Sequence, residues 1–222
     1  MNKCDLMLLS LAGVLLCILP SAATFTLDIF GNANMDDTIN ADDIAYLQGI
    51  INKTNRETEL ADANYDGKID QQDVSAVEEI IRGVETKLVL LDSAGKAVVI
   101  KTPVKRIIPV NRNAAEALRT IKTSDEIVAV SDSALNDKSY FPEFQQVLSV
   151  GSGKTPDFEK ILKENPDLVV YYGTQWTGDY ETINDTLKKA NPDISVIGLD
   201  CFKPETYVED IMKLGYIVGR VK

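Results

Sequence analysis

Two stretches thirty residues apart carry one pattern. "NANMDDTINADDIAYLQGII" begins at Asn32, and "DANYDGKIDQQDVSAVEEII" begins at Asp62. Asn34 matches Asn64, Asp36 matches Asp66, Ile39 matches Ile69 and Asp43 matches Asp73. The apolar positions that follow also match: Ile44 with Val74, Leu47 with Val77, Ile50 with Ile80 and Ile51 with Ile81. That spacing predicts the inner stripe of a helix. Each unit therefore reads as an acidic loop running into one amphipathic helix, and a duplicated supersecondary unit constrains the fold more than any single motif.

So much negative charge in so short a loop needs a partner. Calcium takes six to eight oxygen ligands and tolerates irregular geometry, and a twelve-residue loop supplies them from positions 1, 3, 5, 7, 9 and 12. The second loop offers Asp62, Asn64, Asp66, the Lys68 carbonyl, Asp70 and Asp73, with Gly67 at the sharp turn. The first offers Asn32, Asn34, Asp36, the Thr38 carbonyl, Asn40 and Asp43. It has Asn at position 1 and Asp37 where glycine is preferred. Two calcium sites are expected, the second the stronger, with Asp37 carrying strain in the first. Isolated, the alternative for either loop is a solvated acidic turn.

The acidity is local. Residues 24–86 hold 14 acidic and 4 basic side chains, whereas 87–222 hold 19 and 18. This divides the chain into a leader (1–23), an acidic calcium-binding domain (24–86) and a larger domain (87–222). The net charge of −11 argues against a nucleic-acid partner. The leader has Lys3, the apolar run "LMLLSLAGVLLCILP" and small residues at "SAA", which reads as an export signal, cleaved or retained as an anchor. The expected location is outside the cytoplasm: the cell surface, periplasm or pseudo-periplasm of a prokaryote. Cys4 and Cys17 lie in the leader, so Cys201 stands alone after cleavage and core or metal must stabilise the rest.

From Lys87 the pattern changes. "KLVLL" and "AVVIK" flank "DSAGK", a hairpin signature. Short apolar runs then alternate with helical stretches: "RIIPV", "NAAEALRTI", "EIVAVSD", "DFEKILKENP", "DLVVYYG", "YETINDTLKKANP" and "ISVIGLD". This alternation predicts an α/β fold with a parallel sheet. Asn165-Pro166 and Asn191-Pro192 should stop helices. "KPETYVEDIMKLGYIVGRVK" reads as a long final helix with Val208, Ile211, Met212 and Ile217 as core contacts, and the natural chain is expected to continue beyond it.

Ligands of open α/β sheets bind outside the carboxyl ends of the strands. The loops expected there are "NRN" (Asn111, Arg112, Asn113), Ser131-Asp132, "GSGK" ending at Lys154, "YGTQW" and "DCF". Tyr172 and Trp176 could stack on a flat ligand, while Arg112 and Lys154 could pair with its anionic groups. "GSGKT" is not a phosphate loop, because Leu148 occupies the position of the first glycine. The chain has no histidine and no nucleophile elbow. That argues against His-based catalysis, against an enzyme of the hydrolase type, and against a bare transition metal as cargo.

The duplicated loops at 32–82 resemble a type I dockerin: an all-α module of two calcium loop–helix units (F-hands) that docks onto a cohesin domain. The resemblance implies that loop positions 10 and 11, here Ala41, Asp42, Gln71 and Gln72, help read that partner. The order of elements from Lys87, above all "PDFEKILKENPDLVV", resembles the first lobe of a class III periplasmic binding protein. These are substrate-binding components of ABC importers for iron-siderophores, haem or cobalamin, with two α/β lobes joined by a long helix. The resemblance implies a Rossmann-like lobe, a chelated-metal or corrinoid ligand, and contact with the transporter permease through Glu159. The alternative is a surface scaffold in which the dockerin-like module works and the lobe carries no cargo.

Overall fold

The computed structural model describes residues 25–174 and 177–221, with the backbone alone at 177–180. The leader and Trp176 lie outside the described residues. Each repeat is a loop followed by a helix: α1 (Ala41–Ile51) and α2 (Gln71–Arg82). Both start on a reciprocal capping box. Asn40 and Asp70 are the N-caps, and the Asp43 and Asp73 side chains accept the cap N–H at 2.8 and 2.7 Å. The apolar stripe is as expected at Leu47, Ile50, Val74, Val77 and Ile80, all buried. Ile51 and Ile81 instead face solvent, 37% and 41% exposed. At 3.6 residues per turn they fall past the stripe, whose first positions are taken by the buried Asp43 and Asp73.

The larger domain begins with the expected hairpin, β1 (Lys87–Leu91) against β2 (Ala97–Lys101), turned at Gly95 with φ 76°. A parallel sheet follows, built from β3 (Ile107–Pro109), β6 (Leu168–Tyr171) and β7 (Ser195–Gly198) in the order β3-β6-β7. A parallel pair, β4 (Ala129–Val130) and β5 (Leu148–Ser149), adjoins β3 through an Ile107–Ile127 bridge. The helices are α3 (Arg112–Thr120), α4 (Asp132–Leu135), α5 (Phe158–Lys163), α6 (Thr177–Ala190) and α7 (Tyr207–Ile217). The fold is α/β, as the alternation predicted.

Sheet residues alternate between two cores. Ile108, Val169, Tyr171 and Val196 pack on one face with Ile161 of α5 and Ile183 and Leu187 of α6. Ile107, Leu168, Val170 and Ile197 pack on the other with α3, α7, the hairpin and both repeats. Burial on both faces explains why these strands read as continuous apolar runs. Helix α5 stops two residues before Asn165, whose φ of 45° is left-handed, and α6 stops just before Asn191.

Three features differ from the reading of the sequence. The acidic repeats and the lobe share one hydrophobic core, which contains Leu27, Ile29, Leu47 and Val77 together with Leu90, Ile100, Ile197 and Leu214. The charge boundary at residue 86 is therefore not a boundary of packing. Helix α7 covers 11 residues rather than the whole run: Gly219 adopts φ 65°, and the Gly219 and Arg220 N–H groups fold back onto Tyr216 and Gly215 carbonyls at 3.1 and 2.8 Å. Val208 is 58% exposed, and Lys213, Leu214 and Gly215 take the buried face with Ile217. Among the described residues, no helix is long and apolar enough to cross a membrane.

Because one core serves both parts, they should unfold together. Leu90→Ala removes a fully buried side chain at the junction and should cost about 2–5 kcal/mol. Urea denaturation should show one transition at a lower midpoint. Two separated transitions would contradict the shared core.

Candidate functional site

The two acidic loops are built alike. Asp43 and Asp73 are fully buried, and each accepts the N–H of loop position 3 (Asn34, Asn64) at 3.1 Å as well as that of the helix cap. Asn34 and Asn64 accept the Asp36 and Asp66 N–H at 3.1 and 2.9 Å. Asp36 and Asp66 in turn accept the N–H of Thr38 and Lys68 at 2.8 and 3.0 Å. The side-chain oxygens thus turn into the loop. A carboxylate or amide oxygen that accepts one N–H keeps a further lone pair.

The all-oxygen donor set suits a hard cation such as calcium. Among the described residues no three His, Cys, Asp or Glu side chains gather as a ready cage. The loops therefore fit calcium by the type and order of their donors, not by an assembled cage. Asp37 does not take a left-handed conformation. That conformation falls at loop position 4 in both repeats, Met35 at φ 63° and Tyr65 at φ 58°, with Gly67 at φ 86° in the second loop only. Asn32 is fully buried, and its amide donates to the Leu27 and Asp36 carbonyls at 2.8 and 2.7 Å. Ala41, Asp42, Gln71 and Gln72 are exposed on the first turns of α1 and α2.

The second candidate site lies at the carboxyl ends of β3, β6 and β7. Tyr172 follows β6; its hydroxyl lies 3.4 Å from the Asn113 side-chain oxygen, and its ring meets Phe202 edge-on at 6.2 Å. Burial and the nearby Asp200 carboxylate push the Tyr172 phenol up, with Arg112 opposing, so it stays a hydrogen-bond donor. Asp200 follows β7 and is fully buried. One of its oxygens accepts the Gly173 and Thr174 N–H at 2.9 and 3.0 Å, and the other accepts the Thr174 hydroxyl. Lys203 lies 2.9 Å from that second oxygen and 2.7 Å from the Thr174 hydroxyl. Burial pushes the Asp200 carboxyl up, but the bonds from Thr174 and Lys203 outweigh it and hold it below the usual carboxylate value.

Not every residue expected at this site is free to meet a ligand. Asn111 is fully buried: its amide donates to the Leu199 and Asp200 carbonyls at 2.8 and 3.1 Å while its oxygen caps α3. Its side chain is engaged in fixing the strand ends. Arg112 is bound to Asp137 at 2.7 Å and lies over the Tyr140 and Phe141 rings at 5.1 and 5.2 Å. Lys154 lines a separate hollow with Phe158, Thr182 and Ile183. Asn113 and Tyr172 are brought together; Trp176 lies outside the described residues. Glu159 is exposed on the first turn of α5. Sequence reasoning placed the "DCF" loop at the strand ends but missed Asp200, Lys203 and Thr174 as a group. The available signal was an acid closing an apolar strand with a lysine three residues on.

No family model matches the chain, and no curated protein matches it. Solved structures do match over part of it. Staphylococcus aureus SirA, crystallised with staphyloferrin B, is similar at 20% identity and a TM-score of 0.48, over 60% of this chain and 42% of that one. The FhuD protein from S. pseudintermedius is similar at 26% identity and 0.46, over 61% and 44%. The Haemophilus influenzae molybdate-binding protein MolA is similar at 15% and 0.48, over 60% and 46%. The chain thus spans less than half the length of these structures.

The Asp200 pKa gives a stability prediction. A carboxyl whose folded value lies below its unfolded value favours the folded state at neutral pH, and loses that advantage as pH falls through the folded value. Asp200→Asn should cost about 1.5–3 kcal/mol at neutral pH, the range for hydrogen bonds to a charged group. In urea titrations the gap from wild type should narrow as pH falls below the ordinary carboxylate range. A gap independent of pH would show that charge at Asp200 is not the cause.

Proposed function

We propose that the chain belongs to the solute-capturing component of an ABC importer, exported and working outside the cytoplasm of a prokaryote. Its cargo is a chelated-metal ligand: an iron-siderophore, haem or corrinoid. The observation that carries this reading is the meeting of Tyr172, Asn113 and Phe202 beside the Asp200–Lys203 pair, at the carboxyl ends of parallel strands. An aromatic surface with polar groups at its edge suits a flat or chelated ligand. The resemblance of "PDFEKILKENPDLVV" to class III binding proteins supports it. Those proteins capture ligand and do no chemistry on it, so the proposal is of a binder and not an enzyme, with Glu159 facing the permease.

The front-end repeat, in this reading, holds calcium in both loops and docks on a cohesin domain through the first turns of α1 and α2. Asp62, Asn64, Asp66, Lys68, Asp70 and Asp73 would hold the ion in the second loop. Asn32, Asn34, Asp36, Thr38, Asn40 and Asp43 would hold it in the first. The ion supplies positive charge among these oxygens and performs no other chemistry.

Two experiments test the two halves. Trp176 is the single tryptophan, so titration with a ferric siderophore, haem and cobalamin should quench its fluorescence for at least one of them. No quenching by any would favour the scaffold reading. For calcium, Asp62→Ala with Asp66→Ala should weaken calorimetric binding by about ten-fold or more, and by more than Asn32→Ala with Asp36→Ala. Equal losses would overturn the ranking of the loops.

A further inference from the structure

We propose that the first acidic loop is coupled through α7 to the strand-end site, so that an ion in the loop stiffens the site and ligand at the site tightens the loop. The inference rests on the calcium reading of the loops. It is carried by buried and half-buried hydrogen bonds and ion pairs that meet on the backbone of α7.

On the loop side there are two attachments. The N–H of Ile39, at loop position 8, donates to the Tyr216 hydroxyl of α7 at 3.0 Å in a buried setting. Leu27 is bound to two loop residues: its N–H donates to the Asp36 carbonyl at 2.9 Å, and its carbonyl accepts the Asn32 amide at 2.8 Å. The next residue, Asp28, meets α7. Its N–H donates to Glu209 at 3.4 Å, and its carboxylate lies 3.9 Å from Lys213, which pairs with Glu209 at 2.7 Å. Lys213 is 2% exposed, so water offers these groups little substitute.

On the other side of α7, Asp210 continues the run. One of its oxygens accepts the Cys201 N–H at 2.9 Å and the other the Ser93 hydroxyl at 3.3 Å. The Ser93 oxygen accepts the Asp200 N–H at 3.0 Å, and Asp200 holds the N–H groups of Gly173 and Thr174 beside Tyr172. The ends of β6 and β7 are held in register by their parallel pairing, which the Leu199 N–H extends by donating to the Tyr171 carbonyl at 2.8 Å. A shift of α7 therefore reaches both strand ends together. The second loop reaches the lobe differently, through Lys87, whose ammonium donates to the Asn64 carbonyl at 2.6 Å in an exposed setting. The repeats are alike in their loops but not in what they touch, which makes the first loop the one that is read.

An ion held by Asn32 and Asp36 restrains the backbone that carries Leu27 and Ile39. Coupling of this kind is reciprocal in binding free energy. A shift measured at one end on loading the other tests it. The test is amide hydrogen exchange on the full chain, in calcium and after chelation, with calorimetry on the same samples. Wild type should show slower exchange in calcium at Asp36 and Ile39, and also at Cys201, Gly173 and Thr174. Tyr216→Phe deletes one hydroxyl; Glu209→Gln is the second variant. In each, the effect at Cys201, Gly173 and Thr174 should fall about five-fold, with a similar loss of calcium affinity at the first loop and none at the second. Calcium protection confined to the loops, or wild-type behaviour in both variants, overturns the coupling and leaves the calcium reading standing. An absence of binding heat with no change at Asp36 or Asp66 overturns both.

Discussion

The segment from Leu27 to Gly31 laces the acidic repeats to the lobe, and the rest of the architecture depends on it. Ile29 bridges Leu90 antiparallel, Phe30 donates to the Val89 carbonyl at 2.9 Å, and Leu91 donates back to Asp28 at 2.9 Å. Gly31 then binds the Leu60 carbonyl between the two repeats at 2.7 Å. This lays the segment antiparallel along the hairpin through one bridge and its flanking hydrogen bonds, with Leu27 and Ile29 fully buried. A repeat pair of some sixty residues buries too little surface to be secure alone. By sharing the core of the lobe it borrows the surface it lacks.

The parallel sheet does the corresponding work for the candidate cleft. Its strands end together because Asn111 bonds across to Leu199 and Asp200, and because Gly173 and Gly198 pass without side chains between them. The polar groups there have definite partners. Asp200 is ionised by the donors around it, whereas burial together with the Asp210 and Asp200 carboxylates pushes the Cys201 thiol well up and keeps it inert. The strand ends are thus framed by hydrogen-bonded backbone, with Tyr172 meeting Asn113 and Phe202 beside them.

Legibility followed the range of the interaction. The repeat, its helices, the hairpin and the strand–helix alternation were readable because each rests on spacing within a few residues. Asn111 was noticed, but its partners were not legible. An asparagine after a strand reads as a ligand contact, and only the nearness of β7, 88 residues away, shows its amide already engaged. Asp200 and Lys203 were passed over for a similar reason: Thr174, which completes the group, comes from another strand end. Val208 misled because α7 buries the face of Lys213 and Leu214, and a lysine does not announce burial.

By itself the sequence determined the elements: two loops rich in oxygen donors, each driving a capped helix, and short apolar runs able to be buried on both faces. Local hydrogen bonding and hydrophobic period suffice for those. Only the tertiary structure decided that the acidic segment is not a detached module, that Tyr216 meets Ile39 across 177 residues, and that Asp200 is charged while buried. The physical reason is that burial and pairing belong to surfaces brought together from distant parts of the chain, and no local pattern of residues encodes which surface will arrive.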